Sequence, residues 1–205
     1  MKSAFKSVAL IGKFNASEMR DNVLAMAQFL SAQQVDVFIE QNTAMQKILL
    51  GEFSIEQRIL LTATIVRNGQ ALSQGLAMND VVVNKSGMSR LIELEVNVDD
   101  QFVHKQRSDG LILATPTGTT AYALSAGGPI IHPTLDAITL VPICPHTLSN
   151  RPIAFNSSSK IEITLVYAED AAVHLDGQLQ IDLQVGDKVI VQRAEKTVNL
   201  LHPVG

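Results

Sequence analysis

The stretch "RSDGLILATPTGTTAYALSAGGP", residues 107–129, decides the interpretation of this chain. Its apolar run, residues 111–115, predicts a buried strand, and the threonines, proline and glycine that follow predict a turn. Thr119 is a candidate N-cap for a short helix, and Gly127-Gly128-Pro129 is a typical helix end. A strand, a turn and a helix start in this order present several unpaired N–H groups and hydroxyls.

Two interpretations of this stretch follow from the residues alone. The free N–H groups suit a phosphate or a ribose, with Asp109 as an acceptor for ribose hydroxyls or an amide and Arg107 facing a phosphate. The alternative is an ordinary helix cap beside a closely packed glycine pair. The turn matches no P-loop or Rossmann fingerprint, so the pattern by itself favours the alternative and leaves the ligand site open.

The composition narrows the class of protein. The 205 residues are 46% hydrophobic, which is enough for a sizeable core, and the net charge of −4 argues against a nucleic-acid partner. The single cysteine, Cys144, excludes an internal disulfide and fits a reducing compartment. No window of 18 apolar residues is present, so we expect a cytoplasmic protein without a membrane partner.

The rest of the chain predicts two kinds of architecture. "SVALIG" (7–12), a helix capped at Asn15 and "QVDVFIE" (34–40) form a β-α-β pattern, followed by a polar, mildly helical bridge. From about residue 57 short strands follow one another, which favours a sandwich-like β region. Tight turns between strands are predicted at three dipeptides: Asn68-Gly69, Asp99-Asp100 and Asp176-Gly177.

Four segments resemble one family. Residues 107–133 resemble the signature block of NAD kinases, and "AMNDVVV" (77–83) resembles the Asn-acidic motif that precedes it there. "LDAITLVPICPHTLSNRPIAF" (135–155) resembles the following segment, and "HLDGQ" (174–178) a later binding strand. The similarity runs through nearly all of residues 50–203, and the opening of the chain looks like the family's first β-α-β unit.

The resemblance implies a fold class of α/β plus all-β. A partial, Rossmann-like N-terminal domain would cover residues 1–45, and a β-sandwich-like NAD-binding domain residues 46–196, with 197–205 as a strand returning to the first domain. It implies ATP-dependent phosphorylation of the adenosine 2′-hydroxyl of NAD to give NADP. Mg²⁺ or another divalent metal would accompany ATP, and the chain would self-associate into a dimer or tetramer.

The resemblance also implies a set of NAD-binding residues. Asn79 and Asp80 would hold NAD through its sugar and base groups, Arg107 and Asp109 would line the same pocket, and Gln178 would reach in from the later strand. The other residues implied are Asp176, Arg90 at a position that varies in the family, and the wall residues Thr120, Ala121, Tyr122, Ala123, Leu124 and Ser125. From the residues alone, Asn79 and Asp80 could simply open a strand and Tyr122 could belong to the core. The five histidines show no ligand spacing and are interpreted as structural or exposed.

One departure from the family bears on catalysis. NAD kinases carry a Gly-Gly-Asp-Gly motif whose Asp is the expected general base, and a later Asn-x-Gly-x-Leu-Gly-Phe segment; neither occurs in this sequence. The gap falls near residues 40–48, and no catalytic residue is identified. We expect a NAD kinase with a segment missing; the alternatives are a non-catalytic NAD- or NADP-binding homologue and a β-domain assembly module. As a continuous chain, these 205 residues are expected to be inactive.

Overall fold

The computed structural model describes residues 7–9, 36–38, 47–48, 51–87, 90–146 and 150–203. The helix predicted after Asn15 lies outside these residues, as does nearly all of the junction predicted near residues 40–48. The chain divides into two compact units, one of residues 1–58 and 198–205 and the other Ile59–Thr197. The predicted domain boundaries remain predictions.

The first unit contains a pair of parallel strands. β1 (Ser7–Ala9) and β2 (Asp36–Phe38) are hydrogen-bonded, with Ser7 beside Asp36. Both strands fall where the sequence predicts them, and the parallel pairing is the one that a β-α-β unit requires. Elsewhere in this unit, Ile48 and Leu201 are buried and pack with Phe53. The Rossmann-like character of the N-terminal part remains a prediction.

The second unit is a β-sandwich, as the sequence predicts. Its two six-stranded antiparallel sheets have the orders β10-β9-β8-β5-β12-β13 and β4-β3-β14-β11-β6-β7, and side chains from both, such as Val83 and Leu94, share one buried core. The strands are β3 (Phe53–Arg67), β4 (Gln70–Ala77), β5 (Asp80–Lys85), β6 (Ile92–Val98), β7 (Gln101–Ser108), β8 (Gly110–Ala114), β9 (Ala137–Ile143), β10 (Ile153–Asn156), β11 (Ile161–Tyr167), β12 (Ala171–Leu175), β13 (Leu179–Leu183) and β14 (Lys188–Pro203). Residues 53–58 of β3 and 198–203 of β14 belong to the first unit.

The three predicted tight turns are present. Hairpins of type I′ require positive φ at both central residues, which explains the pairs that the sequence uses. The φ angles are 50° and 77° at Asn68-Gly69, 50° and 63° at Asp99-Asp100, and 51° and 65° at Asp176-Gly177.

One boundary differs from its prediction. β3 begins at Phe53, within the segment predicted to be a mildly helical bridge, rather than near residue 57. β3 lies beside β14, which is 16 residues long. Pairing along a long neighbour overrides the weak local preference of a polar segment, because strand propensity depends strongly on context. Among the described residues, no helix is long and apolar enough to cross a membrane.

Candidate functional site

The floor of the site is the outer face of β5 and β12. Because side chains alternate along a strand, Asp80, Val82 and Asn84 point to one face while Val81 and Val83 enter the sandwich core. In the antiparallel pairing with β12, His174 stands opposite Val82. The face therefore carries carboxylate, imidazole and carboxamide groups within a short length of strand.

A pocket of about 310 Å³ lies over this face. Its floor comes from β5 and β12, and its wall comes from the start of the short helix Tyr122–Ser125. The lining residues are Asn79, Asp80, Val82, Asn84, Ala121, Tyr122, His174, Asp176 and Gly177. The volume is at the lower end of the range for small-molecule sites.

Asp176 fixes one end of the pocket. Its carboxylate accepts backbone N–H bonds from Met78 (2.7 Å), Asn79 (2.8 Å) and Asp80 (3.0 Å), and its own N–H donates to the carbonyl of Asp80 (3.0 Å). The predicted hairpin turn at Asp176-Gly177 therefore also holds the Asn79-Asp80 segment in place. The Asp176 carboxylate therefore supports the backbone of residues 78–80, whereas the resemblance implies that Asp176 contacts NAD.

The Thr-Pro-Thr-Gly turn packs against the same segment. The Thr115 hydroxyl donates to the carbonyl of Met78 (2.6 Å) and accepts from the N–H of Gly118 (3.1 Å). A Cβ added at Gly118 would lie 1.9 Å from the carbonyl oxygen of Asn79. Only glycine allows the turn to approach the Asn79-Asp80 segment so closely.

The hydroxyls of the signature block serve the turn itself. Thr119 is not the helix N-cap; Ala121 occupies that position without a side-chain hydrogen bond. A 3₁₀ turn, Gly118–Thr120, precedes the helix. Within this turn the Thr119 hydroxyl donates to the carbonyl of Pro116 (2.6 Å) and accepts from the N–H of Ile131 (3.2 Å). The prediction of a capping threonine was wrong because the chain tightens before the helix begins.

The helix ends as its glycine pair predicts. Gly127 has a φ of 82°, its N–H bonds to the carbonyl of Leu124 (3.0 Å), and the N–H of Gly128 bonds to the carbonyl of Ala123 (2.9 Å). These two bonds form a Schellman motif. Ala123 is fully buried in a cluster that includes Val82 of the sheet, so its side chain packs the helix onto the floor rather than facing a ligand.

Asp80 is the perturbed acid of the site. Its side chain is 5% exposed, and burial, reinforced by the negative charge of Asp176, raises the pKa of Asp80 to about 6. An acid with this pKa changes from hydrogen-bond donor to acceptor as the pH rises through 6. The hydrogen-bonding character of this side chain therefore changes within about one pH unit of neutrality.

Besides Ala123, seven of the residues implied by the resemblance do not line the pocket, and four of these seven carry charged or amide side chains. Asp109 forms an ion pair with Lys85, with 2.8 Å between the carboxylate oxygen and Nζ, and Arg90 pairs with Glu169 at 3.4 Å. Arg107 and Gln178 are exposed and do not line the pocket.

Asp109 nevertheless lies near one end of the pocket. The neighbouring residue Gly110 pairs with Asn84 across the strands, and the N–H of Lys85 donates to the Asp109 carbonyl (3.0 Å). Three further residues implied by the resemblance are exposed on the turn and helix without lining the pocket: Thr120, Leu124 and Ser125.

Sequence reasoning missed Asn84 and His174. Both lie on strands whose motifs were recognised, and a count of alternate residues from Asp80 leads to Val82 and Asn84. The position of His174 depends on the pairing of β12 with β5, which no local pattern reveals. Among the described residues, no group of three or more His, Cys, Asp or Glu side chains is placed to hold a metal ion.

Comparison with known proteins identifies a family for this geometry. The family model of the ATP-NAD kinase C-terminal domain matches residues 78–203. An NAD kinase from Thiobacillus denitrificans is 58% identical over 160 residues, covering 78% of this chain and 55% of that protein. The chain thus spans about half the length of this relative.

An alignment over nearly the whole length reveals an internal difference. An NAD kinase from Aromatoleum aromaticum is 37% identical over 274 positions that cover 100% of this chain and 91% of that protein. Since this chain has 205 residues, at least 69 of the 274 aligned positions have no counterpart in it.

Two solved structures are similar in fold. A yeast NADH kinase complexed with NADH has a TM-score of 0.70 at 32% identity, over 75% of this chain and 45% of that one. An Archaeoglobus fulgidus NAD kinase in complex with ATP has a TM-score of 0.68 over 96% of this chain and 94% of that one, and at 21% identity it shows a shared fold.

Proposed function

The chain belongs to the NAD kinase family, and from this membership we propose that its sandwich unit binds NAD for ATP-dependent phosphorylation of the adenosine 2′-hydroxyl, giving NADP. One observation supports the proposal most strongly. The pocket brings together five residues from three separate motifs that the resemblance assigns to NAD: Asn79, Asp80, Ala121, Tyr122 and Asp176.

Each of these residues has a role that its contacts support. Asn79 and Asp80 present a carboxamide and a carboxyl group for sugar hydroxyls and base edges, and Asp176 keeps their backbone fixed. Tyr122 is 45% exposed at the rim, where its ring can pack beside a nucleotide base. Ala121 is small enough to leave the entrance open.

The phosphoryl-transfer step needs groups beyond this pocket. We propose ATP as the phosphoryl donor, with Mg²⁺ or another divalent metal. Among the described residues, no group of three or more His, Cys, Asp or Glu side chains is placed to hold such a metal. The expected base belongs to a Gly-Gly-Asp-Gly motif that the sequence lacks. The 69 or more unmatched positions in the Aromatoleum alignment are consistent with a missing internal segment, so we propose NAD binding by this chain and catalysis only when that segment is present.

The remaining proposals follow from family membership and composition. We propose a cytoplasmic protein that self-associates into a dimer or tetramer and binds no nucleic acid. The single cysteine and the net charge of −4 support the location and the lack of a nucleic-acid partner.

The chain's two tyrosines offer a matched test of NAD binding. Tyr122 and Tyr167 are similarly exposed, at 45% and 41%, but only Tyr122 lines the pocket. We expect Tyr122→Ala to weaken NAD binding about 5- to 10-fold, since one aromatic contact contributes roughly 1 kcal/mol, and Tyr167→Ala to leave it unchanged. Calorimetric titration with NAD measures both; equal effects, or no NAD binding by the wild-type chain, would refute the proposed site.

A further inference from the structure

Asn84 has an unusual position at the end of the pocket. Its Oδ1 atom is buried and accepts no hydrogen bond from any residue that the structure describes. A buried carboxamide oxygen without a partner is uncommon, because its desolvation is not compensated. Asn84 also lines the pocket, and the terminal torsion of an asparagine is broad and roughly two-fold, so a turn of the amide brings Oδ1 to the pocket, where a bound ligand can supply the donor that the protein does not.

The opposite end of the pocket is built differently. There the Asp176 carboxylate accepts three backbone N–H bonds, and Asp80 lies beside it. Asn84 lies four positions after Asp80 on the strand, or about 13 Å away at the usual rise per residue. A ligand that fills the pocket along β5 therefore meets a fixed polar framework at the Asp80 end and an acceptor without a partner at the Asn84 end.

His174 lies between the two ends. It is half-buried, stands opposite Val82 and lines the pocket floor. The flat imidazole beside Val82 gives the floor a surface that suits a planar ring. Asn84, two residues further along β5 from Val82, is placed to meet the edge of such a ring.

We propose that Asn84 and His174 form a specificity subsite that receives a heteroaromatic ring bearing an amino or carboxamide NH₂ group. The ring lies over His174, and its NH₂ group donates to Oδ1 of Asn84. This inference rests on the proposed NAD binding, and two parts of NAD carry the required chemistry: the adenine amino group and the nicotinamide carboxamide.

Ligand analogues and Asn84→Leu test the subsite together. Leucine is close to asparagine in size but has no amide. The probes are NAD, its hypoxanthine analogue, which lacks the adenine amino group, and its nicotinic acid analogue, which lacks the carboxamide NH₂. Calorimetry on the full chain gives Kd for each, and thermal unfolding checks that the variant is folded.

We expect Asn84→Leu to weaken NAD binding about tenfold, as for loss of a hydrogen bond to a buried acceptor. The loss should shrink to less than about threefold for one analogue, and that analogue identifies which ring occupies the subsite. His174→Phe, which keeps a flat ring, should bind NAD more tightly than His174→Ala. Gln180→Ala is the matched control, because Gln180 pairs with His174 from β13 but is exposed outside the pocket.

Several outcomes would overturn the subsite. These are an unchanged NAD affinity in Asn84→Leu, an equal loss for all three ligands, or an effect of Gln180→Ala as large as that of Asn84→Leu. If the wild-type chain binds NAD and Tyr122→Ala weakens it while Asn84→Leu does not, only the subsite is wrong. A wild-type chain that binds none of the three ligands would overturn the proposed function as well.

Discussion

The two ends of β5 differ in how their polar groups are satisfied. At the Asp80 end, the carboxylate of Asp176 binds three consecutive backbone N–H groups, and the turn containing Gly118 packs against the same segment. At the Asn84 end, a buried carboxamide oxygen has no partner among the described residues, and Lys85 is paired with the half-buried Asp109. The first end is a rigid framework, whereas the second has hydrogen-bonding capacity left for a ligand.

Neither end provides an evident general base. The Gly-Gly-Asp-Gly motif that holds the expected base is absent from the sequence, and the two acids along β5, Asp80 and Asp109, are the ones proposed to hold the nucleotide. We therefore expect the 205-residue chain to form no NADP above background in a coupled assay with ATP and Mg²⁺. General-base assistance alone is worth about 10²–10⁴ in rate, and lost positioning of ATP adds to this.

The same assay distinguishes the two ends if turnover is observed. NADP formation by this chain would mean that one of the two acids acts as the base. Loss of turnover in Asp80→Asn but not in Asp109→Asn would assign that role to the Asp80 end, and the reverse result to the Asn84 end.

The framework role of Asp176 predicts a large loss of stability. Asp176→Ala leaves three N–H groups without their acceptor, and we expect the free energy of unfolding to fall by about 2–4 kcal/mol, since bonds to charged groups contribute about 1.5–3 kcal/mol each and these are partly exposed. Urea denaturation measures the change. Asp182→Ala is the control, because Asp182 is exposed on β13 and accepts a single side-chain bond from Gln180 (3.1 Å); a similar loss in the control would contradict the framework role.

The sequence predicts the framework better than the site. Strand alternation and the three turn dipeptides locate the sandwich hairpins, because each signal is local. The capping role of Thr119 was wrong, and the backbone bonds of Asp176 were not predicted, because the partners of these side chains, the N–H of Ile131 and the backbone of residues 78–80, are distant in sequence. Asn84 was missed for a related reason: its significance lies in a missing partner, which only tertiary structure shows.

NAD binding by Asp109→Ala shows whether the site extends past the Asn84 end of the pocket. The resemblance assigns it to NAD, and its neighbour Gly110 pairs with Asn84. A charge-assisted bond to a ribose hydroxyl or an amide is worth roughly 1–3 kcal/mol, so we expect Asp109→Ala to weaken NAD binding about 5- to 150-fold. Lys85→Met is the control for loss of the ion pair alone. Unaltered affinity in Asp109→Ala would confine the site to the pocket.

The smallest expected effect concerns the titration of Asp80. Burial and the charge of Asp176 raise the pKa of Asp80 from 3.8 to about 6. Between these values the folded chain binds more protons at this group than the unfolded chain does. The contribution of Asp80 to stability is therefore fully present below pH 4 and is lost as the pH rises through 6.

Replacing Asp80 by asparagine should remove this dependence. Other groups titrate in the same range, and their slopes differ in sign; burial, for example, lowers the pKa of His104 from its ordinary value of 6.5, so that the unfolded chain binds more protons there. The informative quantity is therefore the difference in unfolding free energy between wild type and Asp80→Asn, measured by urea denaturation from pH 4 to 8. We expect the wild type to lose stability relative to the variant as the pH rises to about 6, and to follow it in parallel above pH 7. A difference independent of pH would mean that Asp80 titrates normally and that the Asp80 end is more open to solvent than the described structure indicates.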